Sequence, residues 1–214
     1  MCPLSRLHLL ALTEIFSLED MMAVAYDPWQ KVKTIGGFDA DLVISALQKE
    51  IRRGNEENAV LIAYEMFSTS LPLEDFLWTR LHVISVEDIG FANPEAPMMI
   101  MALDNTRKSL LPGSWDSHII AVHAVRYLAK SMKDRSSDEM LNWVDKNYKK
   151  GLIKPEIPSY AYDKHTRLGQ EMGKNDHDFY YEGSIVKPEW EERDKTYRER
   201  LLVMLEESGG KNIK

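Results

Sequence analysis

Residues 39–67 read DADLVISALQKEIRRGNEENAVLIAYEMF, and this stretch decides the fold class. Asp39 and Asp41 stand where a helix begins, near the positive end of its dipole, and Arg52 and Arg53 stand where it ends. Between them Leu42, Ala46 and Leu47 recur at helical spacing, so 39–53 is expected to be an amphipathic helix closed by Gly54 as a C-cap. Asn55 is placed to cap a second helix whose apolar positions are Val60, Ala63, Tyr64 and Phe67.

The same grammar continues downstream. Pro72 suits the first turn of a third helix, along which Leu77, Leu81, Ile84 and Asp88 fall on one stripe before Gly90 ends it. Asn93-Pro94 reads as an N-cap and first-turn proline leading into Met98–Leu103, and Pro112-Gly113 breaks that helix. Ser114 is expected to cap a helix to about Lys130, and Ser136 with Glu139 forms a capping box for another that Gly151 would close. No alternating strand run interrupts the series. The expectation is an all-α, antiparallel multi-helix domain over 39–151.

Outside this core the character differs. Residues 152–187, with Pro155, Pro158, Gly169, Gly173 and Gly183, read as an irregular arm carrying one short helix near Lys164–Met172. Residues 188–214 read as a charged helix from Glu189 to about Glu207, with Trp190, Tyr197, Leu201, Leu202 and Leu205 as its apolar positions, followed by a tail. Residues 1–38 form an N-terminal extension that is partly helical: Ser17 with Asp20 marks a helix start, and Asp27-Pro28-Trp29 a break.

Composition bounds the function. Of 214 residues 44% are apolar and 29% charged, ordinary values for a globular protein. Cys2 is the only cysteine, which excludes an intrachain disulfide or a four-cysteine metal cage and suits a reducing cytoplasm. The apolar patch Leu7–Leu12 is too short and interrupted for a signal peptide or membrane span, so no membrane role is expected. The net charge of −7 disfavours autonomous binding to phosphate backbones. The one basic tract, Arg126–Lys154, reads chiefly as a solvated helix face and otherwise as a DNA-binding accessory surface.

Candidate chemistry is sparse. No G-x-x-x-x-G-K-[ST] loop or dinucleotide fingerprint occurs, so no cofactor is expected. His177-Asp178, with His118 or His123 and Asp194, forms the pattern of a helical metal-dependent phosphohydrolase, and this is the alternative enzymatic reading. Asp163, His165 and Thr166 read as side-chain capping of a short helix rather than a nucleophile with its base. His82 reads as a satisfied packing residue. Asp88 shares a stripe with core leucines and is expected to be a buried, locking carboxylate fed by free N–H groups of the helix start after Asn93. Glu87, about 100° away on a helix, is not expected to join it as a second acid.

Ile44-Ser45-Ala46-Leu47-Gln48-Lys49 followed by Ser85-Val86-Glu87-Asp88-Ile89-Gly90-Phe91-Ala92-Asn93-Pro94 resembles the C-terminal domain of the replication-associated recombination protein A family, AAA+ ATPases related to clamp loaders and to the Werner helicase-interacting protein. Ile157-Pro158, Thr166, Leu168, Gly169, Glu171-Met172-Gly173 and His177-Asp178 echo the downstream arm of that family, so the similarity runs over roughly residues 40–185. The resemblance implies a clamp-loader-like helical collar that self-associates, as a tetramer or dimer, and that contacts a replication or repair ATPase, with DNA engaged only indirectly. It also places His177-Asp178 in a non-catalytic arm. Only about 38 residues precede the similar region, so ATP hydrolysis and an arginine finger are not carried over. A stand-alone paralogue, a separately encoded half of a split ATPase and a fragment are all compatible with that, and the Met1-Cys2 start favours a separate gene product.

Overall fold

A computed structural model describes residues 27–209, so the expected helix start at Ser17 lies outside the described residues. The chain divides into two compact units, residues 1–146 and 147–214. The described residues contain no strand, only one isolated antiparallel bridge between Lys33 and Asp39. The protein is all-α.

The first unit is built from α1 (Ala40–Arg53), α2 (Glu56–Thr69), α3 (Leu71–Ile84), α4 (Ala96–Lys108), α5 (Trp115–Lys130) and the start of α6 (Ser136–Lys149). α1 packs on α2, and α5 packs on α2 and α4. Small residues Ala121 and Ala124 on α5 permit that close approach, and they join a core of Leu47, Ile51, Met66, Leu77, Trp78, Leu81, Ile84, Ile100 and Leu128. Each fully buried leucine among these contributes about 2 kcal/mol of apolar burial.

Several expected boundaries shift, each for a local reason. α1 ends at the Gly54 C-cap, but its buried positions are Ala40, Val43, Leu47 and Ile51, while Leu42 faces outward. Asn55 does not cap α2; its amide donates to Glu50 Oε2 at 3.0 Å. Ser70 caps α3 by accepting from the Leu73 N–H, with Pro72 in the first turn. α3 then widens into a π-helical turn, Ser85–Ile89, and a 3₁₀ turn, Gly90–Ala92. α4 begins at Ala96, not at Pro94, because the Asn93 amide donates to Tyr127 Oη (2.9 Å) and Ser131 Oγ (3.1 Å) instead of capping. The α6 start also departs from the capping box: Ser136 is already helical, and its N–H donates to Asp134 Oδ1 at 2.8 Å.

The second unit holds the end of α6, a short α7 (Arg167–Glu171), one turn at Asp176–Asp178 running into a π-helical Phe179–Gly183, and α8 (Thr196–Glu207). The final helix is shorter than its charge pattern predicts. Glu189 pairs with Arg193 and Lys195 in a turn-rich segment, and Asp194 accepts from the Thr196 N–H at 2.8 Å, which sets the helix start there. Trp190 therefore lies outside the helix and is exposed.

Candidate interaction site

The π-helical turn after α3 buries Asp88 completely. A carboxylate removed from water requires donors, and here they come from distant elements rather than from the helix start after Asn93. Gln48 Nε2 of α1 donates to Asp88 Oδ2 at 2.8 Å, and Arg52 Nε of α1 and the Arg135 guanidinium both donate to Oδ1. Glu87 joins the same cluster: Arg52 lies 3.3 Å and Arg135 3.2 Å from its Oε1. Two carboxylates and two guanidiniums thus balance, and Arg80 donates to Gln48 to fix the amide. Burial alone would lower the Arg135 pKa, but its bonds to Asp88 and Glu87 outweigh that and raise it above the ordinary value. The Asp88 carboxylate is thus fully buried and engaged by three donors within the fold.

Gly90 and Lys133 complete the junction. Gly90 has φ +53°, and a Cβ there would stand 2.4 Å from the Asp134 carbonyl oxygen, so only glycine lets the two backbones meet. The Asp134 N–H donates to the Asp88 carbonyl at 3.0 Å. Lys133 Nζ donates to the carbonyls of Leu128, Ala129 and Ser131, satisfying the open end of α5. Burial lowers the Lys133 pKa, with Asp88 opposing the shift. Pro94 lies in the turn ahead of α4. The signature Glu87-Asp88-Gly90-Asn93 therefore ties α3 to α1, to the end of α5 and to the root of α6.

The root matters because of what α6 exposes. α6 buries no residue, yet Met140, Leu141 and Tyr148 are 68%, 67% and 58% exposed. Arg135 holds both the Asp88 cluster and Asp138 in the first turn of α6. Leu141 continues into a groove of about 490 Å³ lined by His82, Val83, Val86 and Glu87. A second apolar groove of about 610 Å³ runs between α1 and α2, lined by Phe38, Leu42, Leu61 and Tyr64. Both grooves leave apolar side chains exposed.

In the second unit the candidate residues serve the local fold. Thr166 Oγ1 accepts from the Gly169 N–H at 3.0 Å, and His165 Nδ1 lies 3.0 Å from Asp163 Oδ2. The His165 side chain and backbone hydrogen bonds hold the Asp163 carboxyl below its ordinary value. A Cβ on Gly169 would strike the Asp163 carbonyl oxygen at 1.9 Å, and Gly173 ends the α7 turn. Asp178 accepts from Lys174 (2.7 Å) and from the Asn175 N–H (3.0 Å), while His177 stacks on Tyr181 at 4.4 Å. His118 stacks on Phe67 at 4.2 Å, and Asp194 accepts from the Thr196 N–H in the turn ahead of α8. Among the described residues no group of three His, Cys, Asp or Glu side chains is arranged to hold a metal ion. The basic tract is likewise partly consumed internally: Arg126 and Lys130 pair with Glu56, Lys133 caps α5, and Arg135 enters the buried cluster.

A family model described as MgsA AAA+ ATPase C terminal matches residues 73–197. The chain belongs to this family. The MgsA C-terminal match runs from the first turn of α3, through the acidic signature, to the start of α8. The chain is also 32% identical over 133 residues to Replication-associated recombination protein A of Bacillus subtilis (strain 168). That similarity covers 62% of this chain and 30% of the relative, so the chain corresponds to less than a third of that protein's length. Among the described residues, no helix of this family member is long and apolar enough to cross a membrane.

Gln48, Arg52, Tyr127 and Arg135 are the partners that the sequence reading did not identify. Their signal is weak because each is an ordinary surface residue type on an amphipathic helix or at its end. Only the buried position of Asp88 implies that such donors must exist.

Proposed function

We propose that this chain is a non-catalytic assembly domain of a replication- and recombination-associated system, which self-associates as a dimer or tetramer and docks an AAA+ ATPase. The observation that carries this reading is the exposed apolar side chains of α6, Met140, Leu141 and Tyr148, on a helix with no fully buried residue. Membership of the MgsA C-terminal family supports the ATPase context, as does the name of the Bacillus relative. The engagement of Glu87 and Asp88 by arginines supports a structural rather than acid–base role for the acidic signature. DNA enters this scheme only through the ATPase partner.

Size-exclusion chromatography with light scattering on the wild-type chain and on Leu141→Asp tests the proposal. The wild type should elute above the 24.7 kDa protomer mass, and the variant should shift towards it with an unchanged helical circular-dichroism spectrum. A variant that assembles as tightly as the wild type would remove α6 from the interface.

A further inference from the structure

Three helix ends meet at one place in the first unit. The start of α3, the end of α4 and the start of α5 converge on a cavity of about 260 Å³, lined by Leu71, Glu74, Arg107, Lys108 and Ser117 among others. That volume is several times the ~30 Å³ share of one water and falls short of the roughly 300–1,000 Å³ of a drug-sized pocket. It suits a group of a few heavy atoms.

Glu74 is 1% exposed, and its Oε1 has no hydrogen-bonding partner among the described residues. A carboxylate oxygen removed from water without a donor is costly. Trp78 Nε1, one helical turn on, is likewise without a partner, so it does not satisfy Glu74. The cations that line the cavity are taken by other acids. Arg107 Nη1 pairs with Asp75 at 2.8 Å and its Nε with Asp104 at 2.9 Å, while Lys108 pairs with Asp104 at 2.6 Å. The His82 ring goes to Asp104 as well. Three carboxylates thus stand against two fixed cations, and the acid left over is Glu74. Ser117 is equally buried, and its Oγ donates to the Ser114 carbonyl at 2.9 Å, which leaves it lone pairs to accept with. The two buried polar side chains of the cavity therefore both present acceptors.

We propose that this cavity binds an alkylammonium or alkylguanidinium group, whose head donates to Glu74 and Ser117 and whose carbon stem lies along Leu71 and Pro112. Glu74 stands in the first turn of α3, where the helix dipole favours an anion, and an organic cation restores the charge balance that the aspartates leave unmet. A single carboxylate suits such a cation better than a metal ion, which needs several ligands. A free amine and a basic side chain of a partner protein carry the same head. The site lies within one protomer and is independent of the assembly reading.

NMR titration of the ¹⁵N-labelled full chain with n-butylammonium chloride tests the proposal, with sodium chloride and sodium butyrate at matched concentration as controls. Saturable shifts at the Glu74, Lys108 and Ser117 amides are expected, with a dissociation constant in the millimolar range for so few atoms. Butyrate should do no more than sodium chloride. Glu74→Gln keeps the size of the side chain and removes its charge, and should weaken butylammonium binding about tenfold or more with an unchanged helical circular-dichroism spectrum. Titration with Nα-acetyl-arginine amide separates the sources: tighter binding than butylammonium assigns the site to a partner's basic side chain, and weaker binding assigns it to a free amine. Saturable binding of butyrate would make Arg107 and Lys108 the recognising groups and overturn the proposal, as would undiminished binding to a folded Glu74→Gln. No saturable shift with either cation would mean that the cavity takes water only. Where Glu74→Gln does not fold, the preference of the wild type for butylammonium over butyrate decides alone.

Discussion

Asp88 is the residue on which the junction between helices depends. Its carboxylate is wholly buried, and the side chains of Arg52 and Arg135 that face it are 29% and 26% exposed. Asp88→Ala would leave two guanidiniums without their shared acceptor. Removing one partner of a buried ion pair costs about 3–5 kcal/mol, and partial rehydration of the arginines places the expected loss near the lower end. Urea denaturation measures it, and a loss below about 1 kcal/mol, the scale of an exposed pair, would show that the cluster is ornamental. Gly90→Ala should be comparably damaging, by about 2 kcal/mol or more, because it combines a left-handed φ with a backbone collision at Asp134. The burial of Asp88 was legible in the sequence from its place on the Leu77–Leu81–Ile84 stripe. Its donors were not, since they lie 36 to 47 residues away and helical periodicity carries no information about pairing at that distance.

At the scale of elements, caps and periodicity located most helices, and the errors arose where a polar side chain had a better partner than its own backbone. Asn93 is a good N-cap residue that the structure uses to hold Tyr127 and Ser131. The segment 189–195 has a helical charge pattern, yet Glu189 is satisfied by Arg193 and Lys195, and the helix waits for Asp194. α4 carries a second polar hub invisible to periodicity. Asp104 accepts from Lys108 (2.6 Å), Arg107 (2.9 Å) and the His82 ring (3.2 Å), while Arg107 also reaches Asp75 at 2.8 Å and covers Trp78. Burial pushes the Asp104 carboxyl up, but these three donors outweigh it and hold it below its ordinary value. A depressed carboxylate stabilises the fold above its unfolded value and loses that contribution as pH falls through its folded value. The stability difference between the wild type and Asp104→Asn should therefore be roughly 2 kcal/mol at neutral pH and shrink progressively as pH falls below the ordinary carboxylate range. A difference independent of pH across that window would show that the hub stabilises without ionisation.

At the scale of the molecule, the acidic signature and the exposed helix form one device. Asp88 and Glu87 hold Arg135, Arg135 holds the first turn of α6, and α6 presents Met140, Leu141 and Tyr148 outward. On the proposed assembly reading, Arg135→Met should weaken self-association more than global stability warrants, because it frees the root of α6 while sparing the leucine core. Comparing the dissociation constant with the urea midpoint of that variant separates the two effects. The exposed face of α6 was only partly legible: an amphipathic pattern predicts a buried face, and a sequence does not say whether its own core or another subunit covers it. The most direct measurement is sedimentation equilibrium of the wild-type chain across the micromolar range. Masses rising with concentration to twice or four times 24.7 kDa are predicted, and the protomer mass at every concentration would contradict the account.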